Sequence, residues 1–279
     1  MTALLHFLRK NSLATLGGLV LLAIILAVIF GPMISPYGPT KLDVLNKLQG
    51  PSWAHWLGTD SLGRDVLTRV LHGGRFTLAI GIGVVTISFT IGVFFGTLAG
   101  FAGGPVDMVI MRIVDAMLSF PALVLAIALA AAFGPSLNNA MLAVAITLAP
   151  QFARVARSQA LAISVKPYVE AAVSLGLPTR RILWRYVFAN GLGPLLVQAS
   201  LSLGSAILQT ASLGFLGLGA QPPLAEWGAD VSANLQYLRE SPWVALSPGM
   251  AILFTVLCFN LIGDSLADWF NPRRRNEID

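Results

Sequence analysis

The 279 residues are 56% hydrophobic and only 11% charged, against about 25% charged in an ordinary soluble domain. Such a chain is an integral membrane protein, long enough for about six helical spans of roughly 20 residues. Its net charge of +5 does not point to nucleic acid, because the basic residues flank apolar runs, where the positive-inside rule places them.

Arg9-Lys10 ahead of an apolar run looks at first like a signal peptide. The run from Leu13 to about Ile34 is too long for that and lacks an Ala-x-Ala exit, so an uncleaved first span is expected. Counting uncharged runs in chain order predicts spans over 13–35, 77–101, 110–132, 138–160, 191–218 and 243–266. All are expected to be helices, since an unclosed sheet leaves backbone groups unsatisfied in lipid. The predicted organisation is a tail 1–12, a first span 13–35, a loop 36–76, a core 77–268 and a tail 269–279. The long loop makes the first span peripheral and leaves five for the core. No inverted repeat of the kind found in many secondary transporters is visible.

In the 36–76 loop, Leu62, Val66, Leu67, Val70 and Leu71 form one face of a predicted interfacial helix. The other reading of that face is contact with an external partner. Gly92, Gly96, Gly100 and Gly104 recur every four residues. On a helix they line one face and admit a second backbone, as plain packing or as a moving seam. Pro121 and Pro150 are expected to kink their spans. Phe133-Gly134-Pro135-Ser136 begins a turn cluster.

Residues 161–190 hold a polar, basic island between apolar runs. Helix-forming Glu170-Ala171-Ala172 is followed by Gly176 and Leu177, and Pro178-Thr179 then opens a second helical run with Arg180, Arg181 and Arg185, closing at Asn190. Two short helices meeting at a glycine make a compact knob, better suited to a protein partner than to a substrate. With six spans both termini share one side. On it lie Arg9, Lys10, Arg112, Arg154, Arg157, Lys166, Arg180, Arg181, Arg185 and Arg273 to Arg275, against Lys41, Lys47, Arg64, Arg69, Arg75 and Arg239 on the other. The termini and the island are therefore expected in the cytoplasm.

No Walker A loop, H-E-x-x-H or G-x-S-x-G motif occurs. His6, His55 and His72 are scattered outside the spans, and the single cysteine, Cys258, permits no intrachain disulfide. No catalytic or metal site is expected. Asn260, Asp264 and Asp268 are spaced one helical turn apart at the end of the last span. They suit an interface, and a proton relay is the other reading. Gln198 and Gln209 either line a pathway or join helices. Arg112 and Asp115 are expected to pair with each other or with neighbours.

Several segments together resemble one family, the permease subunits of bacterial ABC importers for dipeptides, oligopeptides and nickel, and within it the second permease of the pair. They are Leu57-Gly-Thr-Asp-Ser-Leu-Gly-Arg-Asp65, Met111-Arg-Ile-Val-Asp115 with Pro121, Glu170-Ala-Ala with Gly176, Leu213-Gly-Phe-Leu-Gly217 with Glu226-Trp227-Gly228, and Phe259-Asn260 through Asp264. The resemblance implies an all-α type I importer fold of six transmembrane helices, a peripheral first helix plus a five-helix core, in the bacterial inner membrane. The 36–76 loop would then be periplasmic. It further implies a cytoplasmic coupling helix in which Glu170, Ala171, Ala172 and Gly176 shape a knob and the arginines pair with an ATPase surface. Implied partners are a second permease, two ATPase subunits that bind the ATP and magnesium, and a substrate-binding protein, with no cofactor in this chain. Tyr186 and Ala189 depart from the histidine and proline frequent in the family, whereas Asn190 fits. Peptides are the expected cargo, nickel or another small solute the alternative, and a stand-alone secondary transporter the reading from a different class.

Overall fold

The computed structural model describes residues 12–270; Arg9, Lys10 and the Arg273 to Arg275 run lie outside the described residues. The helices are α1 (Ser12–Ile34), α2 (Val66–Ala102), α3 (Gly104–Leu118), α4 (Ala122–Phe133) and α5 (Leu137–Ser164), followed by α6 (Pro167–Ser174), α7 (Thr179–Phe215), α8 (Trp227–Asn234) and α9 (Pro242–Phe270). Among the described residues the only β pairing is an isolated bridge between Thr59 and Asp65. Helices α1, α2, α5, α7 and α9 are long and apolar enough to cross a membrane, and α3 with α4 make a sixth crossing if taken as one bent span.

Helix α5 is the axis of the bundle, packed by α2, α3, α4 and α7. Its Ala140, Ala143, Val144, Leu148, Phe152 and Ala156 are all buried, and the small residues let neighbours approach closely. Helix α1 lies outside, against α2 and α9, with most of its surface exposed. Gly193 of α7 meets Phe270 of α9, and Gly17 of α1 meets Leu261, so residues 12 and 270 share one end of the bundle with α6. The 35–65 and 216–241 segments cover the opposite end.

Three expectations change. The 36–76 loop contains no separate interfacial helix, because α2 already begins at Val66 and runs 37 residues without interruption. At about 1.5 Å per residue it is roughly 55 Å long, well beyond the ~30 Å hydrocarbon core. Its early charges hid this: Arg69 is paired with Asp230, and Arg75 donates to the carbonyls of Val28 and Ile29 at 2.9 and 2.6 Å. The 110–132 span is not one straight helix, since α3 and α4 meet at 93°. Pro121, expected to kink this span, sits at that bend as the N-cap of α4, because proline keeps Phe120 out of helical geometry. Pro150 does lie inside α5. Finally, Gly104 leaves the glycine ladder: after Gly103 it opens α3 with φ +52, and a Cβ there would meet nothing within 4 Å.

Candidate functional site

The knob is built as a small core of its own. Helix α6 starts at Pro167, where proline suits the first helical position, and ends in a Schellman turn. Gly176 N–H donates to Val173 O at 2.9 Å and Leu177 N–H to Ala172 O at 3.2 Å. Gly176 takes φ +70, a left-handed geometry that costs a residue with a Cβ about 1–2 kcal/mol. Pro178 then caps α7 through its carbonyl, which accepts from Arg181 and Ile182 N–H. Val169, Ala172, Ile182 and Val187 are buried against Ala160 and Ile163 of α5, with Phe101, Leu177 and Tyr186 around them. This layer fixes the knob to the bundle through apolar area.

The outer surface of the knob differs. Glu170, Ala171 and Gly176 are exposed, as are Tyr168, Val173 and Leu175, the last at 81%. Arg180, Arg181 and Arg185 are exposed too, with no ion pair among the described residues. Of the Glu-Ala-Ala motif, Ala172 is the buried member and Glu170 and Ala171 face outward. Asn190 is exposed and its side-chain amide donates to Tyr186 O at 2.6 Å. Between knob and bundle, residues Leu183–Phe188 form a π-helical segment, a feature the sequence does not signal.

The glycine seam joins α2 to α5. A Cβ on Gly92 would fall 2.6 Å from Phe152 Cβ, and one on Gly100 2.6 Å from Arg157 O; Gly96 faces the backbone of Ala153. A second seam, absent from the sequence reading, sets Gly204 and Gly263 between α7 and α9. Asp115 pairs with Arg154 at 2.7 Å and Asp107 with Arg157 through two contacts of 2.5 and 2.6 Å, so α3 is tied to the knob half of α5. Neither carboxylate pairs with Arg112. Gln198 donates to Ser202 Oγ at 3.2 Å and to Gln151 Oε1 at 3.4 Å, linking α7 to α5. Gln209 keeps a buried side-chain oxygen without a partner. Asn260 packs beside Gly204, and Asp264 and Asp268 are exposed on α9 towards the knob end.

At the far end a latched cap holds buried charge that sequence spacing does not reveal. Asp60 accepts from Leu62 and Arg64 N–H and from Arg64 Nε at 2.6 Å. Asp65 caps α2 by accepting from Thr68 N–H at 2.7 Å and contacts His55 Nδ1 at 2.9 Å. Arg69 donates to Pro39 O at 2.9 Å and is paired with Asp230, 161 residues away, so one guanidinium ties three segments together. Glu226 caps α8 by accepting from Gly228 and Ala229 N–H and also from Thr77 Oγ1 at 3.2 Å. Burial pushes the Glu226 carboxyl above the ordinary glutamate range, the three hydrogen bonds opposing. Among the described residues no group of three His, Cys, Asp or Glu is placed to hold a metal.

Comparison with known proteins gives these features a context. Residues 92–276 match the family described as binding-protein-dependent transport system inner membrane component, and residues 4–51 match the N-terminal TM domain of oligopeptide transport permease C. The chain is 43% identical to the dipeptide transport system permease protein DppC of Alkalihalophilus pseudofirmus, over 96% of this chain and 88% of the relative. It is 45% identical to the probable D,D-dipeptide transport system permease protein DdpC of Escherichia coli, over 97% and 91%. A solved structure of the MetNI methionine ABC transporter in inward-facing conformation shares the fold, with a TM-score of 0.59 and 19% identity over 72% of this chain and 96% of that one. With matches across both halves of its length, and with a bundle of the same architecture, the chain belongs to the inner-membrane permeases of binding-protein-dependent ABC importers.

Proposed function

We propose that this chain forms half of the translocation path of an ATP-driven importer of di- or oligopeptides, paired with a second permease. The knob of residues 161–190 docks in a cytoplasmic ATPase subunit, two of which bind ATP and magnesium, while an external binding protein delivers cargo to the latched cap. The permease itself catalyses nothing and carries no cofactor. The observation that supports this most is the two-sided knob. Its inner face is packed on α5, while its outer face offers exposed apolar side chains and three arginines without an ion pair among the described residues. The knob end is cytoplasmic, a reading supported by the basic residues Arg154, Arg157, Lys166, Arg180, Arg181 and Arg185 in and beside the knob. ATP-driven closure of the ATPases would pull on two such knobs and rock the bundle between outward-open and inward-open states, each favoured by its own contacts. Peptide as cargo is supported by the dipeptide named in both relatives.

Affinity purification of the tagged chain in mild detergent tests the assembly. A second permease and ATPase subunits are expected to copurify, and Gly176→Arg is expected to lose the ATPases while keeping the second permease. A parent chain that purifies alone, or a Gly176→Arg variant that keeps its ATPases, would defeat the docking assignment.

A further inference from the structure

Polar side chains line up on one face of α7. Gln198, Ser202, Ser205, Gln209 and Ser212 are spaced alternately four and three residues apart, which places them on a single helical stripe. From Gln198 to Ser212 the stripe climbs about 21 Å towards the cap, at ~1.5 Å per residue. Helix α5 runs antiparallel beside it: Gln159 lies next to Gly191, and Gln151 next to Gln198. There a second stripe of Gln151, Arg154 and Ser158 continues about 10 Å towards the knob. The Gln198–Gln151 contact joins the two, and their combined height matches the ~30 Å hydrocarbon core. Ser205 and Ser158 are exposed, and Gln198 and Gln151 half-buried, so the joined stripes form an open trough.

Such a face does not suit lipid. A serine hydroxyl can turn back on its own helix, as Ser212 does onto Leu208 O at 2.8 Å. A glutamine amide has more hydrogen-bonding capacity than its helix can fill. Gln198 Nε2 donates to Gln151 Oε1 and Ser202 Oγ, which leaves Gln198 Oε1 and Gln151 Nε2 without a partner among the described residues. Gln209, on the same stripe, keeps its own side-chain oxygen unpartnered. Elsewhere the spans turn apolar side chains outward, as at Leu19, Leu22, Ile82 and Phe94. Polar groups on a span belong where water enters. The charge in the trough is already matched, because Arg154 pairs with Asp115 at 2.7 Å. What the trough offers is uncharged amide and hydroxyl groups, donor and acceptor in turn, which complement a peptide backbone.

We infer that this trough is the chain's wall of the translocation path, and that Gln198 and Gln151 exchange hydrogen bonds with the backbone of a passing peptide whatever its side chains. The inference rests on the importer reading proposed above.

The test uses the assembled importer with its binding protein, in nanodiscs for labelling and in proteoliposomes for uptake. Ser205→Cys is expected to react with a membrane-impermeant methanethiosulfonate about tenfold faster than Ile82→Cys, because the reagent attacks a thiolate and a thiolate needs water. The parent, with its buried Cys258, gives the background. Equal rates at the two positions would leave the stripe no wetter than a lipid-facing site. A Ser205→Cys chain that reacts only when purified without its second permease would place the stripe in a subunit interface; each result overturns the inference. Gln198→Leu is expected to lower uptake of labelled Ala-Ala, Lys-Ala and Asp-Ala by about fivefold each, the factor for one lost hydrogen bond. Unchanged uptake, or a fall that depends on the side chain, would contradict the backbone role. Copurifying subunits and parent uptake are measured in the same samples. A parent that neither keeps its partners nor takes up peptide fails as an importer, whereas a parent that does both beside an unreactive Ser205→Cys fails only in its path.

Discussion

Single residues carry unequal weight at the two ends of the bundle. At the cap, Arg69 and Asp230 are both buried, so removing one strands the other. Asp230→Ala leaves Arg69 with backbone carbonyls such as Pro39 O and, as its nearest carboxylate, Asp60 at 4.0 Å. A loss of roughly 3–5 kcal/mol is expected, seen as a large fall in the thermal unfolding temperature in detergent. Glu226 gives a pH signature. Because its folded pKa is raised, its contribution favours the fold most below the unfolded pKa and is lost as pH rises through the folded value. Glu226→Gln is expected to flatten the decline in unfolding temperature from pH about 4 upward. An identical pH profile in parent and variant would mean that Glu226 does not titrate as described.

At the scale of the element, the glycine seam decides how α2 and α5 meet. Gly96→Val would drive a branched side chain into the Ala153 backbone, which has nowhere to move. A cost of about 3 kcal/mol or more is expected, whereas Gly18→Val on α1, with nothing within 4 Å, should be close to neutral. Comparing the two by detergent unfolding separates close packing from any general aversion of the bundle to larger residues. The seam was legible at Gly92, Gly96 and Gly100, because a four-residue repeat maps onto one helix face. Gly104 broke the pattern, since periodicity does not show where a helix ends. The start of α2 was hidden for another reason. Arg69 and Arg75 read as loop charges until their partners, in α8 and at the end of α1, are brought to them by the fold. The 93° break before Pro121 was legible as a perturbation but not in size, because proline sets the site of a break while packing sets its angle.

For the whole molecule, fold class and membrane character were plain from composition and the uncharged runs. The knob was legible as well, because helix-stop and helix-start signals at Gly176 and Pro178 are local. The latched cap was not, since its Arg69–Asp230 pair joins residues 161 positions apart. The resulting picture has two rigid ends, a buried-charge cap and an apolar-cored knob, joined by a tightly seamed bundle. The central claim is that the knob passes the work of ATP to that bundle. Gly176→Arg tests it cleanly: no atom lies within 4 Å of the new Cβ, and the strain falls on the turn alone. The decisive measurement is ATP-dependent uptake of a labelled dipeptide by proteoliposomes containing the full importer and its binding protein. Uptake is expected to fall to background in the Gly176→Arg importer while the protein remains folded in the membrane; uptake at the parent rate would contradict the claim.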